Sequence, residues 1–188
     1  MRRITHAIAT NDSSWDAAMR AEVRKLFASL APEWHTRTSV HRMEPVRDAV
    51  ERGGVHGGTA LELGSGTGLA TAELATRFDT LIAMDLSPEM LELAPAQAAS
   101  RVVADSSRLP VASSSVDAVL LINCVLFASE VARVLKPDGA LVWVNTSGDR
   151  TPIYLDADHV LAAMSRTGMW AGVASEAGWG TWAVLRRD

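Results

Sequence analysis

Leu61-Glu62-Leu63-Gly64-Ser65-Gly66-Thr67-Gly68 is the stretch on which the reading of this chain turns. A short apolar strand, Thr59–Leu63, runs straight into three glycines spaced by single residues, and a helical pattern follows over 69–78. Glycine has no side chain, so such a bend turns sharply and lets a ligand touch its backbone. The amides that open the next helix offer donors and the positive end of a dipole. The spacing is Gly-x-Gly-x-Gly, with leucine at position 69, whereas the dinucleotide fingerprint is Gly-x-Gly-x-x-Gly. A phosphate loop ending in lysine and a hydroxyl residue is also missing. The bend therefore favours a ligand without phosphates. Glu62 points the same way, because a carboxylate repels pyrophosphate but receives a cationic amino group.

Outward from the bend, strands and helices alternate. Strands are expected at Thr80–Asp85, 100–104, Val116–Ile122 and 140–144, and helices at 88–94 and 129–136. Ser87-Pro88-Glu89 opens a helix with a capping hydroxyl, a first-turn proline and an acid near the positive end, and Pro95 closes it. Pro137-Asp138-Gly139 reads as a turn. The strands are nearly continuously apolar, as parallel strands covered on both faces should be. Alternation with short links implies an α/β, Rossmann-like doubly wound sheet. Ligand then binds beyond the carboxyl ends of the strands. The tail differs: a helix over 156–165 precedes two strands, 169–175 and 181–186, joined by a turn at 177–180. So short a link permits only an antiparallel pair.

Upstream, Trp15, Ala18, Met19, Val23, Leu26, Phe27 and Leu30 recur at helical spacing over 14–30, with Ser13 or Ser14 as the cap and Pro32 as the stop. A second helix is expected over 43–52, ending at Gly53-Gly54. Residues 1–58 thus form a helical N-terminal extension on a ligand-binding core of 59–188.

Two acids at strand tips narrow the ligand. Asp85 ends the second strand, where a carboxylate accepts both hydrogens of a ribose diol; the bland alternative is a helix-capping aspartate. Asp105 ends the third strand and Ser106 follows. That pair can read an adenine edge, the carboxylate taking the exocyclic amine and the next amide a ring nitrogen, or it can be an ordinary turn. Leu86 and Met90 either flank the adenine or pack the core.

Composition bounds the rest. The 188 residues carry 18 basic and 22 acidic side chains, a formal net charge of −4, which supplies no general field toward nucleic acid or anionic membranes. No run approaches the roughly 20 apolar residues that cross a bilayer. The two arginines at the start lack an apolar stretch behind them, so no signal peptide is expected. The single cysteine, Cys124, excludes an internal disulfide and a cysteine-cluster metal site, and no metal is expected. It suits a reducing, cytoplasmic setting.

Taken together these segments resemble the class I S-adenosylmethionine-dependent methyltransferases, of the small-molecule type. The resemblance runs from the glycine bend through Ile82-Ala-Met-Asp-Leu-Ser-Pro-Glu-Met-Leu91, Val103-Ala-Asp-Ser106, Leu109-Pro110 and Val116-Asp-Ala-Val119 to Glu130-Val-Ala-Arg-Val-Leu-Lys-Pro-Asp-Gly139. It implies S-adenosylmethionine as cofactor and strand order 3-2-1-4-5-7-6, the seventh strand antiparallel. It implies that Glu62, Gly64, Ser65, Gly66 and Gly68 hold the methionine part and Asp85 the ribose. Leu86 would lie beside the adenine, Asp105 and Ser106 at its edge, and Asn123 near the sulfonium and the acceptor. In many small-molecule relatives the segment before the second helix folds over the cofactor. That makes Trp34 a pocket-closing residue, Arg37 a partner for the cofactor's carboxylate, and His35 or His41 a general base; a polar linker is the alternative. Tyr154, Asp156 and His159 are substrate-facing candidates or merely helix-capping groups.

The link from Asn123 to the following helix is short and lacks the histidine or acid that many relatives place there. Methyl transfer from a sulfonium releases a neutral thioether, so alignment supplies most of the catalysis, and a base is needed only for a protonated acceptor. Cys124 reads as a buried structural thiol. Neither the aromatic Asn/Asp-Pro-Pro signature nor an aromatic-interleaved basic patch is present, which leaves a small organic acceptor for O- or N-methylation. The competing readings are a catalytically inactive cofactor-binding module or partner subunit, and a nucleotide-dependent oxidoreductase, which the glycine spacing disfavours.

Overall fold

In a computed structural model that describes residues 1–11, 15–37, 39–95 and 98–188, the apolar run before the bend is an inner strand of a seven-stranded sheet. Its strands are β1 (Thr59–Leu63), β2 (Thr80–Asp85), β3 (Ser100–Val103), β4 (Val116–Ile122), β5 (Leu135–Asn145), β6 (Trp170–Ala177) and β7 (Gly180–Arg187), in the order β3-β2-β1-β4-β5-β7-β6. The first five are parallel, and β7 runs antiparallel between β5 and β6. The Rossmann-like architecture, the strand order and the closing hairpin all agree with the sequence. Side chains of the central strands alternate between two cores. Leu61, Leu63, Val119, Leu121, Leu141 and Trp143 join one, and Ala60, Ala118, Leu120, Val142 and Val144 join the other. A pleated strand buried on both faces requires this, and it explains why no polar alternation marks those strands.

The helices are α1 (Arg2–Thr10), α2 (Ala17–Leu30), α3 (Val40–Arg52), α4 (Thr71–Leu74), α5 (Pro88–Glu92), α6 (Ala128–Val134) and α7 (Ala157–Met164). Side chains cap four of them: Asp16 accepts from Met19 N–H at α2, Ser39 from Arg42 at α3, Ser87 from Met90 at α5 and Asp156 from His159 at α7. The proposed caps Ser13 and Ser14 lie outside the described residues; Asp16 does the work at α2. Helix α1 was not foreseen. It lies against α7 and buries Ile8 and Ala9 in the core.

Pro32 ends α2, and the chain tightens there into a 3-10 helix over Ala31–Arg37. Three local expectations need correction. The second helix starts three residues earlier than expected, at Val40, with Pro45 inside it. The helix expected over 69–78 is regular only in α4, which has no side-chain cap. Pro137-Asp138-Gly139 is not a separate turn. It is a bulge inside β5, where the register jumps from Val116↔Leu135 to Ala118↔Ala140.

Pro45 has a second consequence. Proline has no N–H to give the carbonyl one turn back. The freed carbonyl of His41 instead accepts from the backbone N–H of Trp179, in the β6–β7 turn, at 3.2 Å. The helix-breaking residue thereby pins the tail hairpin to α3.

Candidate functional site

Beyond the carboxyl tips of β1, β2 and β4 lies a cavity of about 310 Å³. Its floor is polar: Glu62, Gly64 to Gly66, Asp85, Asp105, Ser106 and Asn123 all line it, with Leu86, Met90 and Cys124. Its roof comes from the N-terminal segment, where Trp15, Val23, Leu26, Phe27, Leu30 and Trp34 face inward. The stripe that marked α2 as amphipathic is thus spent largely on roofing a cavity rather than on the sheet.

The glycine bend is held by the sheet. Ser65 N–H donates to Met84 O at 3.0 Å and Gly66 N–H to Asp85 Oδ2 at 2.8 Å. Gly64 and Gly66 have φ of +66° and +58°, the left-handed region that favours glycine. A β-carbon on Gly64 would sit 2.6 Å from Cys124 Sγ, and one on Gly66 would sit 3.1 Å from Trp34 Nε1. Gly68 is turned away from the cavity, toward Ala94, Thr71 and Pro95. Within the bend, the hydroxyls of Ser65 and Thr67 are buried without a hydrogen-bond partner among the described residues.

Each acid has its own environment. Glu62 is 2% exposed and accepts from the Thr71 hydroxyl at 2.6 Å. Burial pushes its carboxyl up to about 7. Asp85 accepts from Gly66 N–H and, at 2.8 Å, from Ser87 N–H, and desolvation raises its pKa against those bonds. It therefore joins the bend to the start of α5 as well as facing the cavity. Burial also drives the Cys124 thiol up to about 12, the behaviour of a structural cysteine.

Asp105 lines the cavity and is tied to the N-terminal segment. Its carboxylate takes Trp15 Nε1 at 3.0 Å, Arg20 Nη1 at 2.8 Å and Ser107 N–H at 2.9 Å. The atoms expected to meet an adenine amine are thus already engaged by the cap, and the Arg20 and Ser107 bonds help depress its pKa despite partial burial. Trp15 and Arg20 were missed because only the fold brings them to a residue 85 to 90 positions away.

Trp34 packs edge-on against Phe27, and the Arg37 guanidinium lies 4.6 Å over its ring. Both line the cavity. His35 and His41 do not. His35 is exposed, and His41 pairs with Glu44 at 3.1 Å and lies beside the Trp179 ring. No histidine lines the cavity among the described residues, so the structure does not bring the two proposed bases to the site. Tyr154 and Asp156 line a different hollow, beside Asn145 under the hairpin, and His159 pairs with Asp156. Two lining residues that the sequence did not flag, Arg42 and Thr146, take the side opposite the acids.

Residues 61–143 match the family described as Methyltransferase domain. Among relatives, the biotin biosynthesis bifunctional protein BioHC of Cellvibrio japonicus (strain Ueda107) is 40% identical over 105 residues, 50% of this chain and 21% of that one. The malonyl-(acyl-carrier protein) O-methyltransferase of Dechloromonas aromatica (strain RCB) is 33% identical over 130 residues, 65% of this chain and 49% of that one. The chain thus spans half or less of the length of these relatives. Among solved structures, a DhpI–SAH complex superimposes with a TM-score of 0.72 over 92% of this chain and 98% of the other, at 20% identity, a likeness of fold. The sheet order, the glycine bend and this match coincide on one stretch: residues 61–143 match a methyltransferase domain, set in a chain with the Rossmann-like fold of S-adenosylmethionine-dependent methyltransferases.

Proposed function

We propose that this chain is an active methyltransferase that uses the cavity under the N-terminal cap to bring S-adenosylmethionine to a small organic acceptor, methylating oxygen or nitrogen. The observation that carries the reading is the cavity's division of labour: a left-handed glycine bend with an orphaned, buried Ser65 hydroxyl, acids at the tips of β1 and β2, and an apolar roof. Those groups fit the cofactor's chemistry. Glu62 suits its amino group, the Ser65 hydroxyl and Arg37 its carboxylate, and Asp85 its ribose hydroxyls. Leu86 and Met90 offer apolar surface to the adenine, with Ser106 at its edge. Gly68 then acts by shaping the bend, and Asp105 by fastening Trp15 and Arg20 over the site.

When bound, S-adenosylmethionine supplies an electrophilic methyl on sulfur with a neutral leaving group. The chain's own contribution is to align and to exclude water. Asn123, with φ of +51° at the end of β4, exchanges hydrogen bonds with Thr146 and presents a fixed amide beside the reaction centre. The roof of Trp15, Phe27 and Trp34 keeps solvent out. Without a histidine at the cavity wall, the acceptor is one that needs little help in losing a proton, and the O-methyltransferase name of one relative supports an oxygen acceptor.

We further propose that residues 1–58 act as the cap and 59–188 as the core, and that the chain works in the cytoplasm. No helix among the described residues is long and apolar enough to cross a membrane. Calorimetry with S-adenosylmethionine, S-adenosylhomocysteine and NAD tests the cofactor, and transfer of a labelled methyl group to a panel of small acids and amines tests turnover. Binding of NAD alone would overturn the proposal. Tight binding of the two sulfur compounds with no turnover on any acceptor would favour the inactive cofactor-binding module.

A further inference from the structure

We infer that the cavity contains a second subsite, at the tips of β4 and β5, that docks an oxyanion of the methyl acceptor, carboxylate or phosphoryl, on Arg42, Asn123 and Thr146. The inference rests on the proposed cofactor site and adds the substrate's charge to it.

Three donors converge on one oxygen there. Thr146 Oγ1 receives Arg42 Nε at 3.3 Å, Arg42 Nη2 at 3.2 Å and Asn123 Nδ2 at 2.8 Å. A hydroxyl has one proton to give, and among the described residues none accepts it from Thr146. The Asn123 amide is locked in this sense, because its Oδ1 accepts from Thr146 N–H at 2.9 Å. The spot thus has donors in excess, and among the described residues the Nε–Nη2 edge of the arginine is met only by long contacts to a neutral oxygen. A guanidinium makes much stronger, shorter bonds to a planar carboxylate or a phosphoryl group.

The charge balance agrees. Neither Arg37 nor Arg42 pairs with a carboxylate among the described residues. The two lie close together, Arg42 Nη1 donating to the Arg37 carbonyl at 2.6 Å, so two cations line one wall uncompensated. Burial and the neighbouring Arg37 both lower the pKa of Arg42, which is the strain an anion would relieve. The cofactor brings one carboxylate. Arg37, stacked on Trp34 directly above Gly66, stands over the glycine bend and suits that group. Arg42 stands instead over the tips of β4 and β5, where the acceptor must approach, and is left for an anion the acceptor brings.

The test is titration of the protein saturated with S-adenosylhomocysteine, using propionate, methyl phosphate and uncharged propionamide. We expect at least one anion to bind and the amide not to; the preferred anion distinguishes carboxylate from phosphoryl. Arg42→Met should weaken anion binding by about tenfold or more. Arg42→Lys, which keeps the charge but loses the fork and guards against a misfolded methionine variant, should also weaken it. Affinity for S-adenosylhomocysteine should change by less than about threefold in either variant. Equal binding of amide and anions, no anion binding to the loaded wild type, or anion binding unaffected by both substitutions would overturn the inference. So would a loss of S-adenosylhomocysteine affinity in both variants, which would give Arg42 to the cofactor. Failure of the wild type to bind S-adenosylhomocysteine would instead overturn the cofactor proposal itself.

Discussion

Asp85 carries two jobs through one carboxylate, since it faces the cavity and also ties Gly66 N–H to Ser87 N–H. Asp85→Asn is expected to weaken S-adenosylhomocysteine binding by about 10- to 150-fold, the usual cost of bonds to a charged acceptor, as read by calorimetry. An unchanged dissociation constant in the folded variant would remove Asp85 from the site. Glu62 gives a sharper test because burial holds its carboxyl near 7. If the ionised form receives the cofactor's amino group, affinity should fall about tenfold between pH 8 and pH 6, and Glu62→Gln should flatten that dependence. Stability moves the opposite way. The folded chain keeps the proton at pH values where the unfolded chain has lost it. Rising pH between about 4.5 and 7 should therefore cost the apo protein roughly 3 kcal/mol, a loss that Glu62→Gln abolishes in denaturant titrations. His35→Ala, at an exposed position outside the cavity, should leave turnover unchanged; a large loss would show that the cap rearranges to bring it in.

Among the elements, α2 is the one whose role the sheet does not explain. Its single buried residue, Val23, itself lines the cavity roof together with Leu26, Phe27 and Leu30. Its polar links to the core run through Arg20 and, just before the helix, Trp15, both on Asp105, and through a longer, exposed pair of Arg24 with Glu89 on α5. Roofs held by a few half-exposed polar contacts open readily. Arg20→Met should speed dissociation of S-adenosylhomocysteine by about two- to fivefold, given the small worth of such pairs. High salt should bring the wild type toward the variant's rate by screening the pair. Stopped-flow tryptophan fluorescence reads both, because Trp15 and Trp34 line the cavity. Identical rates in wild type and variant would mean that the cap does not gate release. The cap's amphipathic pattern was legible in the sequence; which surface its apolar stripe covers was not, because a helical period reports that a face is buried and not against what.

For the whole molecule, a ligand that binds only the folded chain must raise its stability. S-adenosylhomocysteine at a hundred times its dissociation constant should add about 2.7 kcal/mol, or roughly 5–10 °C in Tm for a chain of this size, while NAD should add nothing. A shift with NAD alone would reverse the choice of cofactor. The sequence by itself determined the sheet, the glycine bend and the acids at its neighbouring tips. Those features are local: apolar runs of strand length, glycines at fixed spacing and a polar residue where each run stops. Helix α1, the bulge at 136–139 and the docking of the Trp179 turn onto the carbonyl freed by Pro45 were not legible, because each depends on a partner distant in the chain. The same holds for chemistry. His35 and His41 carry side chains suited to a base but lie outside the cavity, whereas Arg42 and Thr146, 104 residues apart, share a cavity wall that only closure of the sheet under the cap creates. Backbone periodicity is written residue by residue; which side chains meet across a cavity is decided by packing.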